Sequence, residues 1–275
     1  MINMHLHTKA SDGILSPEKL VKNCMSLGLD LISITDHDTF EAYKSIPEST
    51  IPLRIMPGIE ISSFYKNDDV HVLGYGCDIH DKELVRLASM YLENRRDRAL
   101  KMIELLREYD IEITWDDVAK HAGDENLIAR PHVAHAMVEK GYVPFKAMAF
   151  DLYIGNNGPA YVAKEEVPTQ DVIRMIQNAG GFAVVAHPGK LRNQDYVHDF
   201  IKMGLDGIEV WHPDHSFLEI EKFKDIARKN GLYMTGGTDF HGDLEGKIKL
   251  SNANVGQEVL QSVLEMYEEY KCRNK

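Results

Sequence analysis

Apolar and polar residues alternate over Ile2-Asn3-Met4-His5-Leu6-His7, the two-residue period of a strand with one face turned inward. A different period follows. Ser16-Pro17-Glu18 supplies an N-cap residue and a proline at the first helical position, and Leu20, Val21, Cys24, Met25 and Leu27 then recur as a helical stripe that Gly28 ends. Leu31-Ile32-Ser33-Ile34-Thr35 predicts a second strand. The same rhythm returns late in the chain, with strands predicted at 182–186, 207–211 and 232–235 and helices near 168–179, 194–203 and 216–230. A final amphipathic helix, predicted from Gln257 to Tyr270, would close the domain. Strand and helix in alternation predict βα units on a largely parallel sheet or barrel.

The middle breaks the rhythm. Residues 81–155 show helical patterns and no convincing strand: a long charged amphipathic stretch from Asp81 to Tyr109, a capped start at Thr114-Trp115-Asp116-Asp117, and a helix from Pro131 to Glu139. The expectation is one α/β domain made of residues 1–80 and 156–275, with 81–155 as a helical insertion covering the active site. Trp115 reads as packing, and Glu93 to Arg98, with both signs of charge, as a solvated helix face.

Composition narrows the function. The chain has 275 residues, 44% of them hydrophobic, enough for a substantial core. It shows no apolar run of transmembrane length and no signal-peptide pattern at its start, so the expectation is a cytoplasmic protein with no membrane partner. Cys24, Cys77 and Cys272 are odd in number and lack CxxC spacing, which disfavours both a disulfide framework and a thiolate metal site. A formal net charge of −12 repels the backbone of duplex nucleic acid. Bound divalent cations would reverse that sign locally, so an anionic substrate stays compatible with the charge.

Chemistry-bearing side chains fall where strands end. His5 and His7 are followed by Asp12; Asp36-His37-Asp38 closes the second predicted strand. Glu60, His71, His187, Glu209, His212, Asp239 and His241 come later. Two residues apart on a strand, His5 and His7 point to one face. Imidazole and carboxylate together suit manganese, zinc or iron. Barrel active sites gather residues from the C-terminal ends of several strands, so donors spread over more than 230 positions could converge. A carboxylate such as Glu60 can bridge two ions, and two or three close ions activate a water and stabilise the oxygens of a phosphoryl group.

His5-x-His7-Thr8 with Ser11-Asp12-Gly13, Thr35-Asp36-His37-Asp38-Thr39, Pro57-Gly58-Ile59-Glu60, Ala186-His187-Pro188-Gly189 and Asp239-Phe240-His241-Gly242 together resemble the motifs of the polymerase-and-histidinol-phosphatase (PHP) family, in the family's order and nearly end to end. The resemblance implies a distorted (β/α)7 barrel with a trinuclear centre of divalent metal. It implies one ion on His5, His7, Glu60 and Asp239, a second on Glu60, His71 and His187, and a third on Asp12, His37 and His241. Asp36 would orient a ligand histidine. Ala129-Arg130-Pro131-His132-Val133-Ala134 resembles the insertion of the subgroup acting on nucleoside 3′,5′-bisphosphates and short RNA 5′ ends. That implies substrate contacts from Arg130 and His132, with Lys190 where the subgroup often has arginine, and His212 beside them. The implied activity is hydrolysis of a phosphomonoester: a nucleotide substrate losing its 3′-phosphate, or short single-stranded 5′-phosphorylated RNA trimmed stepwise. Histidinol phosphate on the same barrel is the rival substrate, and a barrel that binds without catalysis the rival class.

Overall fold

Ser16 opens the first helix by accepting the Lys19 amide on its side chain, and Pro17 follows at the first helical position. This helix, α1 (Pro17–Ser26), buries Leu20, Val21 and Cys24. It stops where Gly28 takes a left-handed φ of 70°. Met25 and Leu27, expected on the inner stripe, are 38% and 42% exposed; Leu27 is already the C-cap residue, where the chain turns off the helix axis. The fold is that of a computed structural model, which describes residues 1–46, 52–121, 128, 130–163, 167–242, 250 and 255–273. Ala129, the first residue of the predicted insertion motif, lies outside the described residues.

Eight strands are present among the described residues: β1 (Ile2–Asn3), β2 (Leu31–Ile32), β3 (Arg54–Ile55), β4 (Gly58–Tyr65), β5 (Asp68–Tyr75), β6 (Phe182–Val185), β7 (Gly207–Trp211) and β8 (Tyr233–Gly236). The helices after α1 are α2 (Lys82–Arg107), α3 (Trp115–Ala119), α4 (Arg130–Glu139), α5 (Lys146–Ala149), α6 (Thr169–Asn178), α7 (Tyr196–Lys202), α8 (Phe217–Asn230) and α9 (Gly256–Arg273). No described helix is long and apolar enough to cross a membrane.

The strands form two sheets in a mixed α/β fold. One is parallel, in the order β1-β2-β3; the other runs β4-β5-β6-β7-β8. In the second sheet β4 and β5 are antiparallel to each other and β5 is antiparallel to β6, while β6, β7 and β8 are parallel. A uniform ring of seven βα units is therefore not what the ladders describe. The two sheets meet through single bridges instead, Leu6 with Phe240 and His37 with Glu60. Backbone bonds from the His7 amide to the Phe240 carbonyl and from the Asp38 amide to the Glu60 carbonyl reinforce them.

The β4–β5 hairpin is the main departure from the predicted elements. Its two-residue turn places Lys66 and Asn67 at φ 47° and 64°, the left-handed pair that matches the twist of flanking strands. The expected strand over residues 2–7 also shortens to Ile2–Asn3. Beyond Asn3 the backbone leaves the ladder and presses on Gly237, where an added Cβ would lie 2.3 Å from the His5 nitrogen. Only glycine permits that approach.

The chain divides into two compact units, Met1–Arg86 with Glu166–Lys275, and Leu87–Glu165. Both boundaries fall later than the predicted 81 and 155. Ala160 belongs to the second unit's apolar cluster, and Arg98 donates to the Val162 carbonyl at 3.1 and 3.2 Å. Arg98 is thus half-buried rather than part of a fully solvated face. The second unit is helical and has its own core, with Leu106, Ile113, Val118, Val133 and Met137 buried and Trp115 packed against them. In the first unit α9 lies on β8, and Ser262 accepts the Met234 amide at 2.8 Å.

Candidate metal centre

Several backbone segments deliver the donors of the first unit to one place. The segment after β1 brings His5 and His7, both fully buried. The β4–β5 ladder pairs Ser62 with His71, so Glu60, two residues before Ser62, projects from the same face as His71. The turns after β6 and β8 bring His187 at φ 28° and Asp239 at φ 51°, rare conformations for residues with a Cβ.

Glu60 is the centre. Its Oε2 lies 3.2 Å from His5 Nε2, His7 Nε2 and His37 Nδ1. Its Oε1 lies 2.9 Å from His71 Nδ1 and 3.0 Å from His187 Nε2. Asp239 faces the same imidazoles from the other side, with Oδ1 3.3 Å from His5 Nε2 and 3.1 Å from His7 Nε2. Half-exposed Asp12 reaches His241 Nε2 at 3.1 Å, and the His7 and His241 rings stack with centroids 4.1 Å apart. Among the described residues, three groups have donor atoms mutually within 4.8 Å: His5, His7, Glu60 and Asp239; His37, Glu60 and His71; and His7, Asp12, His37 and His241. The first coincides with one implied ligand set. In the second, His37 stands where His187 was expected, and the third adds His7. All nine expected ligands are gathered in this one cluster.

The donor set fits divalent cations. His7 Nε2 and His37 Nδ1 are buried without a hydrogen-bond partner, although each lies within 3.2 Å of a carboxylate oxygen. Nitrogens that face carboxylates without a shared proton in line suit a cation lodged between them, and an orphaned buried nitrogen is otherwise costly.

Electrostatics agree. Burial disfavours charge on His5 and His7, but the carboxylates outweigh it. Glu209, Asp239 and Glu60 raise His5 well above the usual imidazole range, and the Asp239 and Glu60 carboxylates beside Nε2 bring His7 to about 10. His37, desolvated and less well compensated, falls to about 3. Burial opposes ionisation of Glu60 and Asp239 as well, yet the surrounding histidines hold both carboxyls well below their usual range. A metal ion needs an imidazole lone pair, so it must displace the protons on His5 and His7. Titration with Mn²⁺ at pH 7 in buffers of different ionisation enthalpy should therefore show release of about two protons for the ion taken up by His5, His7, Glu60 and Asp239. Apparent affinity should rise with pH up to about 10, where His7 loses its proton unaided. Uptake without proton release would contradict the charged state of these imidazoles.

Supporting residues are equally specific. Glu209 Oε1 accepts His5 Nδ1–H at 2.9 Å and Oε2 accepts the His187 amide at 2.7 Å. It fixes the His5 tautomer that leaves Nε2 free for metal. Its signal was a carboxylate inside the buried strand Gly207-Ile208-Glu209-Val210-Trp211. Asp36, expected to orient a histidine, instead accepts from the Thr8 amide at 2.7 Å, the Thr8 hydroxyl at 2.7 Å and the Ser11 hydroxyl at 2.6 Å. It fixes the loop after His7 and reaches that ring only through Ser11, at 3.5 Å.

The expected substrate residues are divided between the two units. His212 is buried; its Nδ1 accepts the Asp214 amide and its Nε2 lies 3.3 Å from Asp239 Oδ2, so it braces that carboxylate. Lys190 is 41% exposed, with Nζ 3.3 Å from Asp239 Oδ2 and 3.1 Å from Asp214 Oδ2. Those carboxylates outweigh its partial burial and keep it cationic. Arg130 and His132 belong to the second unit and open α4. Arg130 donates to Asn156 Oδ1 at 2.8 Å and lies over the Tyr161 and Phe150 rings.

Comparison with known proteins sets this geometry in context. The family model for the PHP domain matches residues 3–271. A 3′,5′-nucleoside bisphosphate phosphatase of Chromobacterium violaceum is 31% identical over 254 residues, which cover 89% of this chain and 88% of that protein. The 5′-3′ exoribonuclease Rnm of Salmonella typhimurium is 30% identical over 248 residues, 87% of this chain and 84% of its own. Among solved structures, a candidate metal-dependent phosphoesterase from Bifidobacterium adolescentis superposes with a TM-score of 0.82 at 30% identity, covering 96% of both chains.

Proposed function

The chain belongs to the PHP domain family and is a metal-dependent phosphoesterase, and we propose that its substrates are nucleoside 3′,5′-bisphosphates, which lose the 3′-phosphate, and short 5′-phosphorylated oligonucleotides. The observation that carries the catalytic part is the single buried Glu60 carboxylate faced by five imidazoles. The substrate class draws its support from the two relatives named for bisphosphate and RNA hydrolysis.

Divalent ions at such a cluster supply Lewis-acid polarisation of phosphoryl oxygens and acidify water. The side chains of the chain do the rest. His5, His7, Glu60 and Asp239 would hold one ion; Glu60, His71 and His187 a second; Asp12, His37 and His241 a third. Glu209 and His212 keep His5 and Asp239 in place. Lys190, cationic and open to solvent beside Asp239, meets a phosphate oxygen at the rim as a point charge. Arg130, with a guanidinium suited to two phosphate oxygens, and His132 are proposed as further phosphate contacts.

Phosphate release should be measured with Mn²⁺, Zn²⁺ or Fe²⁺ on adenosine 3′,5′-bisphosphate, mononucleotides, short RNA and histidinol phosphate. The bisphosphate and short 5′-phosphorylated RNA should lead. Preference for histidinol phosphate would overturn the substrate assignment while leaving the phosphoesterase intact. In the same screen Arg130→Ala should lose activity on the bisphosphate with metal content unchanged; equal rates on every ester would remove Arg130 from the site.

A further inference from the structure

Phe217 and Leu218 are the two most exposed large apolar side chains among the described residues, at 74% and 78%. Apolar residues exposed singly are ordinary on a protein surface, so this pair gains its meaning from where its scaffold lies. Their scaffold is fixed: Ser216 and Glu219 close a capping box at the start of α8, so both side chains stand on an ordered first turn.

That turn is laced to the metal cluster. The chain leaves β7 through His212, which touches Asp239, and Asp214, which pairs with Lys190. Phe217 follows Asp214 by three residues, a span of at most about 11 Å between Cα atoms. Glu219 also accepts Gln194 Nε2 at 2.6 Å. His215 receives the Gly189 amide on Nε2 at 3.1 Å and bonds the Val210 carbonyl through Nδ1 at 2.9 Å. The turn carrying His187 and Lys190 and the helix start carrying Phe217 are therefore one rigid corner. This corner carries both an ammonium group, Lys190, and an exposed aromatic ring, Phe217.

We propose that Phe217, with Leu218 beside it, is the platform for the nucleobase of the substrate. The inference rests on the bisphosphate reading above and adds the part of the substrate that no phosphate ligand can recognise. A nucleotide is charged at its phosphates and flat and apolar at its base, and this corner carries a complement to each, the Lys190 ammonium and the Phe217 ring. Stacking on an aromatic ring accepts any base, so the platform gives affinity for nucleotides with little preference among bases.

The test compares adenosine 3′,5′-bisphosphate with ribose 3,5-bisphosphate, which has the same phosphates and no base, on the metal-loaded parent, Phe217→Ala, Leu218→Ala and Phe217→Tyr. Phe217→Ala should raise KM for the adenosine compound roughly tenfold, with kcat and the base-free substrate unchanged. Leu218→Ala should show a smaller shift in the same direction, and Phe217→Tyr should retain the parent KM. Equal changes on both substrates, or no change on either, would overturn the platform while the parent's activity on the nucleotide still stands. A parent inactive on the nucleotide would overturn the substrate reading and the platform with it. Sedimentation velocity on the same proteins supplies the remaining contrast: conversion of a parent dimer to monomer by Phe217→Ala at constant KM would make the pair a contact between copies and refute base binding.

Discussion

Glu60→Gln should abolish most of the activity and strip metal from two groups of ligands at once. Glutamine keeps the volume of the side chain but replaces one acceptor oxygen by an NH₂ donor and removes the charge. Both effects fall where five imidazole nitrogens lie within 3.2 Å of the carboxylate. Whichever oxygen is replaced, an amide donor then faces histidines that are themselves needed with lone pairs toward metal. Two of the three donor groups contain Glu60. The expected loss in kcat/KM is roughly 10³-fold or more, since a preorganised charge in a dry site counts for several kcal/mol. Metal analysis after dialysis should show the deficit in more than one equivalent, with thermal unfolding of the metal-free variant confirming that the fold persists. Full metal content and parental activity together would remove Glu60 from any bridging role.

The donors themselves were legible because each is a polar residue at an abrupt end of an apolar run: His5-x-His7, Asp36-His37, His187 after Phe182–Ala186, Asp239-x-His241. A strand that delivers ligands must place them at its mouth, and that leaves a mark on one dimension of sequence. The capped start of α1, strands β6 and β7, and the helical character of the middle were legible for the same local reasons. What was not legible depends on pairing. The β4–β5 hairpin turns on Lys66-Asn67, without the glycine that usually announces such a turn, and β4 is buried along both faces for its first four residues, which blurs the alternating signal. Without that hairpin the relation between Glu60 and His71 had no register to explain it. Partners were hidden too. Asp36 anchors Thr8 and Ser11 rather than an imidazole, and His212 braces Asp239 from a buried position; side-chain direction decides both, and spacing alone does not carry it.

Asp239→Asn should separate one ion from the others. Asp239 sits at φ 51°, a conformation that asparagine tolerates better than most residues. The substitution therefore removes charge with little backbone cost. Among the three donor groups only that of His5, His7, Glu60 and Asp239 contains it. The group of His37, Glu60 and His71 should keep its ion, so metal analysis should fall by about one equivalent rather than two. The loss in kcat/KM should reach roughly 10²- to 10³-fold, the scale for removing one charged group from a preorganised site. A second signature follows from Oδ2, which lies 3.3 Å from both His212 Nε2 and Lys190 Nζ. With the charge gone Lys190 keeps only Asp214, so KM for the phosphate ester should rise together with the fall in kcat. His7 should also titrate lower, because the Asp239 carboxylate, 3.1 Å from Nε2, is the first of the interactions that raise it against burial. Proton release on binding the remaining metal at pH 7 should accordingly shrink from the parent's value. A variant that loses every ion would show that the groups fill only together, and one that loses none would place the first ion elsewhere than between Asp239 and the His5–His7 pair.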